Sequence, residues 1–423
     1  MTHPAPAPLA RRLGTGDALM VGLGAMIGAG VFAAFTPAAA AAGSGLLFGL
    51  AIAAAVAYCN AVSSAQLAAQ YPTSGGTYIY GRERLGPSWG FVAGWGFVVG
   101  KTASCAAMAL TFAAYAVDGA GWVQRLVAVA AVLVLTTVNL LGITRTAALA
   151  RVLVALTLLA LLLLVVVIVW KQDSAGSQPS PWRELSSSSP LGVLQSAGLL
   201  FFAFAGYARI ATLGEEVRDP GRTIPRAILL ALAITAAVYA AVAICLLITL
   251  GADGIAATPT PLVEAARAVD AAWLGPVVRA GAVVASLGAL LALVAGVGRT
   301  SLAMARHGDL PRWLAGVDER HHVPHHAEIA VALVVVALVL TTDLRGAIGF
   351  SSFGVLVYYA VANAAAVTQS KEHRRRPRAV SIAGLVACLT LVGTLPTEAV
   401  VSGAVVLATG LAGRALVRRR RSR

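Results

Sequence analysis

Long apolar segments with few internal charges recur along the whole chain. Each is about 20 residues long, which is the length that an α-helix needs to cross a hydrocarbon layer of about 30 Å. Of the 423 residues, 58% are hydrophobic and 12% are charged, whereas an ordinary soluble domain has about 25% charged residues. A water-soluble core cannot bury so many apolar segments, and they recur too often to be a signal peptide. The pattern predicts an all-α integral membrane protein.

Glycine, proline and charged residues divide the apolar sequence into twelve predicted membrane helices. Two connections, 171–190 and 251–276, are polar enough to be loops on the far side of the membrane, and residues 1–15 and 417–423 form short tails. The predicted helices span residues 16–40, 44–67, 90–117, 122–142, 147–170, 191–214, 227–250, 277–303, 327–342, 346–369, 379–396 and 398–416.

The basic residues favour one side of the membrane. With the N-terminus inside, 24 of the 32 Lys and Arg residues fall in inner segments and six in outer segments, while Lys101 and Arg209 remain within the membrane. This bias predicts a multi-pass protein of the cell (inner or plasma) membrane with both termini cytoplasmic. The arginines of the C-terminal tail are expected to contact anionic lipid headgroups. Despite the net charge of +14, no basic stripe with interleaved aromatic residues indicates a nucleic-acid partner.

The first predicted helix contains a cluster of four glycines, Gly22, Gly24, Gly28 and Gly30. Each glycine weakens a helix by about 1 kcal/mol relative to alanine, so the cluster predicts a break near the middle of the bilayer. Unpaired main-chain groups are tolerated there only beside a cavity or a bound polar ligand. The alternative interpretation is close helix packing through small residues.

The sixth predicted helix favours the first interpretation, because it carries a glycine-containing aromatic run, residues 201–207, at similar depth. Helices one and six occupy matching positions if two five-helix halves repeat with inverted topology, and paired interruptions mark transporter substrate sites. A zwitterionic amino acid would fit such a site. Main-chain N–H groups near Gly28 and Gly30 would hold its carboxylate, and carbonyls near Phe204 and Ala205 its ammonium.

Four strings follow one another along the chain: GAMIGAGVF (24–32), FAFAGY (202–207) with its extension EEVRDPGRTIPR (215–226), AMARHGDLP (303–311) and YYAVAN (358–363). In this order and spacing, they resemble the permeases of the amino acid–polyamine–organocation (APC) superfamily, in its amino acid permease branch.

The resemblance implies a LeuT-type core of two inverted five-helix repeats, residues 16–170 and 191–369, with helices 11 and 12 (370–416) peripheral. It implies secondary active transport of amino acids by alternating access, coupled to protons or exchanging one substrate for another. Phe202 matches the family's occluding aromatic residue, or gate. The expected substrate-binding positions are Ile27, Gly28, Ala29, Gly30, Phe202, Ala203, Phe204, Ala205 and Gly206.

Lys101 stands out because a charge at bilayer depth costs at least about 2.5–3.5 kcal/mol. Some proton-coupled members of the family carry a lysine in the fifth helix, where this chain has Thr157. We therefore hypothesise that Lys101 is the coupling residue that carries the proton. It would otherwise complement an anionic group of the substrate or extend to the membrane surface. No carboxylate partner at its depth is apparent in the sequence.

Arg209, Glu215 and Glu216 form a predicted cytoplasmic latch after the sixth helix. Arg209 cannot deprotonate, so it cannot carry a proton. Its favoured role is to hold one of the two glutamates. The alternative role is direct contact with the substrate. For the acidic and basic string itself, loop anchoring with helix capping is an equal alternative.

Several alternatives stay open at this point. Sodium would need a helix-eight hydroxyl such as Ser286 or Ser301, although serines in membrane helices mostly bond their own helix. The second candidate among transport functions is a polyamine or organic cation carrier. The candidate outside transport is a nutrient sensor that binds its ligand without net transport. The histidines at 321–326 are interpreted as a solvated loop, and no motif indicates an enzyme, a metal site or a cofactor. Side-chain specificity and oligomeric state cannot be read from the sequence.

Overall fold

The computed structural model describes residues 13–71, 75–142, 147–171, 188–211 and 217–421, which are helical apart from short connections. Ten helical segments within these ranges are long and apolar enough to cross a membrane. Two shorter apolar helices, His325–Thr341 and Arg378–Thr394, lie where the ninth and eleventh membrane helices are predicted. The chain is therefore an all-helical, multi-pass membrane protein.

Seventeen α-helices follow one another along the described residues. They are α1 (Thr15–Met26), α2 (Ala29–Ala33), α3 (Phe35–Ala42), α4 (Leu46–Gln70), α5 (Gly76–Leu85), α6 (Pro87–Ala116), α7 (Gly121–Leu140), α8 (Ala147–Lys171), α9 (Pro190–Phe204), α10 (Ala208–Ala211), α11 (Pro220–Ala256), α12 (Pro261–Ala268), α13 (Gly275–Arg306), α14 (His325–Thr341), α15 (Leu344–Val367), α16 (Arg378–Thr394) and α17 (Thr397–Arg421).

Local sequence explains where many of these helices begin. Proline occupies the first turn of α6, α9, α11 and α12, where its missing N–H costs nothing and its fixed φ suits a helix. The Ser189 hydroxyl accepts a hydrogen bond from the Gly192 N–H at 3.0 Å and caps α9. The Asp343 carboxylate caps α15 in the same way through the Gly346 N–H at 2.7 Å.

The prediction of a polar loop over 251–276 is wrong. The helix α11 continues through a kink at Gly251, which has a φ of +66°, and ends at Ala256, and α12 follows five residues later. The helix α5 was also not predicted. Both α5 and α12 are short and lack a long apolar segment, so hydropathy alone does not reveal them. Residues 172–187 of the other predicted loop lie outside the described ranges.

The central helices pack closely around the interrupted first and sixth helices. The helix α6 packs against α13 and α15, while α4 packs against α9 and α11. The helix α1 lies against α11, and the short helix α2 contacts α6, α9 and α13. This packing places α4, α6, α11, α13 and α15 around the first and sixth predicted membrane helices.

Candidate functional site

The first predicted membrane helix is interrupted at the expected glycines. The helix α1 ends at Met26, and α2 begins at Ala29 after two residues with non-helical backbone angles, Ile27 (ψ 50°) and Gly28 (ψ −139°). Ile27 and Ala29 are buried. The predicted break is confirmed, and it releases main-chain groups from the helical hydrogen-bond pattern inside the protein.

The sixth predicted helix departs from α-helical geometry at the corresponding place without leaving the helical conformation, and we call this departure the second interruption. The helix α9 ends at Phe204, a single turn of 3-10 helix covers Ala205–Tyr207, and α10 continues for four residues. Residues Ala203, Phe204 and Ala205 are buried. The sequence therefore located both interruptions, which is the geometric premise of the predicted site.

The two interruptions touch each other through main-chain atoms. A Cβ atom added at Gly30 would lie 2.6 Å from the Ala203 Cα, and one added at Gly206 would lie 2.2 Å from the Ala25 carbonyl oxygen. Neither position leaves space for a side chain. Close packing through small residues and helix interruption, proposed as alternatives, therefore occur together at these glycines.

A tyrosine that the sequence analysis missed links the two interruptions. The Tyr239 hydroxyl, on α11, lies 2.6 Å from the Met26 carbonyl oxygen and 3.0 Å from the Ala203 carbonyl oxygen. It can donate its proton to either carbonyl, one from each broken helix. The sequence feature that could have indicated this role is a single tyrosine in an otherwise apolar helix.

Lys101 also points at an interruption. It is only 7% exposed, and its Nζ donates a hydrogen bond to the Ala205 carbonyl oxygen at 3.3 Å. The Tyr359 hydroxyl, on α15, donates to the same oxygen at 3.4 Å. The sequence showed no carboxylate partner for Lys101, and the structure provides a main-chain carbonyl as its partner instead.

Aromatic rings pack around this carbonyl. Tyr207 stacks on Tyr359 with ring centroids 5.0 Å apart, and Phe201 meets the same ring edge-on at 5.7 Å. Phe204 packs against Tyr239 at 5.1 Å. Phe202 is also buried, and its assignment as a gate stays a prediction.

A fully buried polar seam, also missed, runs along α4, α15 and α16. The Asn363 Nδ2 donates to the Asn60 Oδ1 at 2.6 Å and to the Tyr359 carbonyl oxygen at 3.0 Å. The Ser63 hydroxyl donates to the Asn363 Oδ1 at 2.7 Å and lies 2.9 Å from the Ser381 hydroxyl. Interhelical hydrogen bonds of this kind hold membrane helices in register.

The other predicted residues have varied outcomes. Arg209 is half-buried in α10, whereas Glu215 and Glu216 lie outside the described residues, so the latch stays a prediction. Ser286 is fully buried on α13, and its hydroxyl has no hydrogen-bond partner among the described residues. Ser301 is also buried on α13.

The histidine-rich loop forms local contacts. The Asp318 carboxylate accepts a hydrogen bond from the His321 main-chain N–H at 2.8 Å, which holds the pKa of Asp318 below its usual range. The His326 Nδ1 lies 2.8 Å from the Trp313 carbonyl oxygen. Within the described ranges, no group of three or more His, Cys, Asp or Glu side chains is arranged to hold a metal ion.

Many apolar helices around two opposed helix interruptions define a multi-pass membrane transporter, and comparison with known proteins agrees. The sequence model of the family described as "Amino acid permease" matches residues 13–410. The chain therefore belongs to the amino acid permease family, within the APC superfamily that the sequence motifs indicated.

Three relatives illustrate this family. An uncharacterized transporter of Mycobacterium tuberculosis is 58% identical over 409 residues, covering 96% of this chain and 91% of its own length. The branched-chain amino acid permease BcaP of Bacillus subtilis is 26% identical and covers 89% of this chain and 84% of its own. The methylthioribose transporter of Bacillus subtilis is 25% identical, with coverages of 86% and 82%.

Proposed function

We propose that this protein is a secondary active transporter that moves amino acids across the cell membrane by alternating access. The proposed architecture is a twelve-helix LeuT-type fold with repeats at 16–170 and 191–369, peripheral helices over 370–416, and both termini cytoplasmic. The observation that carries the proposal is the pair of opposed interruptions, with three side-chain donors from other helices on their carbonyls.

The interruptions provide both kinds of group that a zwitterion needs. At the start of α2, N–H groups near Gly28, Ala29 and Gly30 lack helical acceptors and would hold the substrate carboxylate. Carbonyls around Ala203 and Ala205 would accept hydrogen bonds from its ammonium. Gly30 packs directly on the main chain of the sixth helix, and Gly206 packs on the main chain of the first. The two interruptions must therefore separate to admit the substrate. The match to BcaP supports an amino acid substrate.

Lys101 and the substrate ammonium would compete for one acceptor, and we propose that this competition couples transport to protons. A charged Lys101 occupies the Ala205 carbonyl oxygen. Loss of its proton weakens that hydrogen bond and leaves the oxygen to the substrate's ammonium. Thr157, at the fifth-helix position, bonds its own helix at Leu153 instead. Exchange without proton movement is the alternative mode, and sodium near Ser286 is the alternative coupling ion.

Substitution of Lys101 tests this proposal. In proteoliposomes, Lys101→Ala should lose most accumulation driven by a pH gradient while retaining exchange of substrate across the membrane. Lys171→Ala is the matched control, because the Lys171 Nζ also donates a hydrogen bond to a main-chain carbonyl oxygen, that of Asp270, which lies on neither interrupted helix. Full pH-driven accumulation by Lys101→Ala would show that coupling lies elsewhere. Replacing sodium with choline in the same assay identifies sodium coupling.

A second candidate substrate is a methylthioribose-like sugar, because a relative of similar coverage carries that name. Such a substrate has neither carboxylate nor ammonium, so the opposed N–H and carbonyl groups would bind only hydroxyls. A polyamine fits less well, since Lys101 would repel a second cation. Thermal-shift screening of the purified protein with the twenty amino acids, polyamines and methylthioribose separates these candidates, and radiolabel accumulation in vesicles separates transport from sensing.

A further inference from the structure

Two basic segments that are far apart in the sequence meet on one side of the helix bundle. Residues 218–226 lead into and open α11, and residues 371–378 precede and open α16. Together they contain eight basic and two acidic residues. The Arg375 guanidinium donates a hydrogen bond to the Gly221 carbonyl oxygen and joins the two segments. We call the two segments the basic rim.

A cavity of about 280 Å³ opens beneath the basic rim. Its inner wall is mostly apolar and comes from the last third of α4 and the first turns of α11. Arginines lie at its mouth and are exposed. The lining residues are Val62, Ala65, Gln66, Pro225, Leu229, Arg375 and Arg376.

The position of the cavity indicates the type of ligand. Charged segments between apolar helices mark the level of the membrane surface, and the basic rim is such a pair of segments. The apolar part of the cavity continues from that level along α4 and α11. A ligand that matches has an anionic head at the rim and an apolar tail below it, as basic pockets between membrane helices do for anionic lipids.

We propose that this cavity binds an anionic phospholipid from the surrounding bilayer. The guanidinium groups of Arg375 and Arg376 hold the phosphate, which arginine recognises with paired N–H donors. The start of an acyl chain lies against Leu229 and Val62. The lining combines two arginines with apolar side chains and includes no carboxylate, so its charge favours an anionic ligand over a cationic one.

Lipid-dependent thermal stability tests the proposal. The full-length protein is reconstituted in nanodiscs of phosphatidylcholine alone or with one third phosphatidylglycerol, and a ligand of the folded state raises its Tm. Phosphatidylglycerol should raise the Tm of the unmodified protein, and Arg375→Gln/Arg376→Gln should lose at least half of that rise. Arg312→Gln/Arg320→Gln is the control, since it removes the same charge from exposed positions outside the cavity lining.

A cavity-filling variant separates specific binding from general attraction of the basic rim. Leu229→Trp keeps every arginine but occupies the space for the acyl chain, so it should also lose most of the rise. An unchanged Tm in phosphatidylcholine shows that each variant folds. An undiminished rise in both the double-arginine and the Leu229→Trp variants would overturn the proposal. So would an equal, arginine-dependent rise with inorganic phosphate in phosphatidylcholine nanodiscs, which would indicate a site for a free anion.

Discussion

At the two interruptions, single tyrosine hydroxyl groups donate hydrogen bonds to main-chain carbonyl oxygens. Replacing Tyr239 with phenylalanine keeps the ring against Phe204 and Phe35 but removes the donor that serves the Met26 and Ala203 carbonyls. A buried acceptor without its donor costs about 1–3 kcal/mol. We expect Tyr239→Phe to lower the Tm and to reduce substrate uptake at least tenfold.

The matched control for this prediction is Tyr115→Phe. The Tyr115 hydroxyl donates to the Phe32 carbonyl oxygen at 3.1 Å, beyond the interruption of the first membrane helix, and also interacts with the Leu262 main chain on α12. It should lower the Tm by a similar amount and leave uptake within about twofold, because the cost of an unmade hydrogen bond is similar at both positions. Equal loss of uptake in the two variants would contradict a special role for the hydroxyl that joins both helices.

Between elements, one buried carboxylate ties the last helix to the core. Asp309, just after α13, accepts hydrogen bonds from the Arg414 Nε at 2.8 Å and the Tyr78 hydroxyl at 2.9 Å, and Arg82 lies 3.4 Å away. Burial and the Asp309 charge raise the pKa of Tyr78, which keeps its hydroxyl protonated and able to donate well above neutral pH. Arg414 is 7% exposed and also donates to the Pro87 carbonyl oxygen at 2.8 Å. The helix α17, expected to be peripheral, therefore holds the ends of α5, α6 and α13 together.

Removal of this ion pair should destabilise the whole protein. Breaking a buried pair costs about 3–5 kcal/mol when one charge is left behind, and the nearby Arg82 reduces that cost. We expect Arg414→Met to lower the Tm by several degrees, and Arg414→Met/Asp309→Asn to lower it by less than the sum of the single variants. The exposed Arg345→Met variant is the control. Additive losses in the double variant would show that the two side chains do not stabilise the fold as a pair.

Across the whole molecule, the sequence predicted the features that depend on neighbouring residues and missed the contacts between residues that are far apart in the chain. Apolar length located the long apolar helices, the glycine cluster located the break near Gly28, and the glycine-containing aromatic run located the one near Gly206, because these signals are local. The Asp309–Arg414 pair and the Asn60–Asn363 pair each join residues more than one hundred positions apart. The partner of an isolated polar residue depends on how the helices pack against one another. These contacts therefore cannot be predicted from the pattern of one sequence.

The two interrupted helices should behave as one unit, and Gly206→Ala tests this. The new Cβ atom would lie 2.2 Å from the Ala25 carbonyl oxygen, a main-chain atom that cannot rotate away. The first helix must therefore move when the sixth is changed. We expect uptake to fall below one tenth and the Tm to drop. Gly296→Ala, also in a membrane helix but with nothing within 4 Å of the new atom, should keep uptake and gain up to about 1 kcal/mol of stability. Normal uptake by Gly206→Ala would show that transport does not require the close contact between the two interruptions that this structure contains.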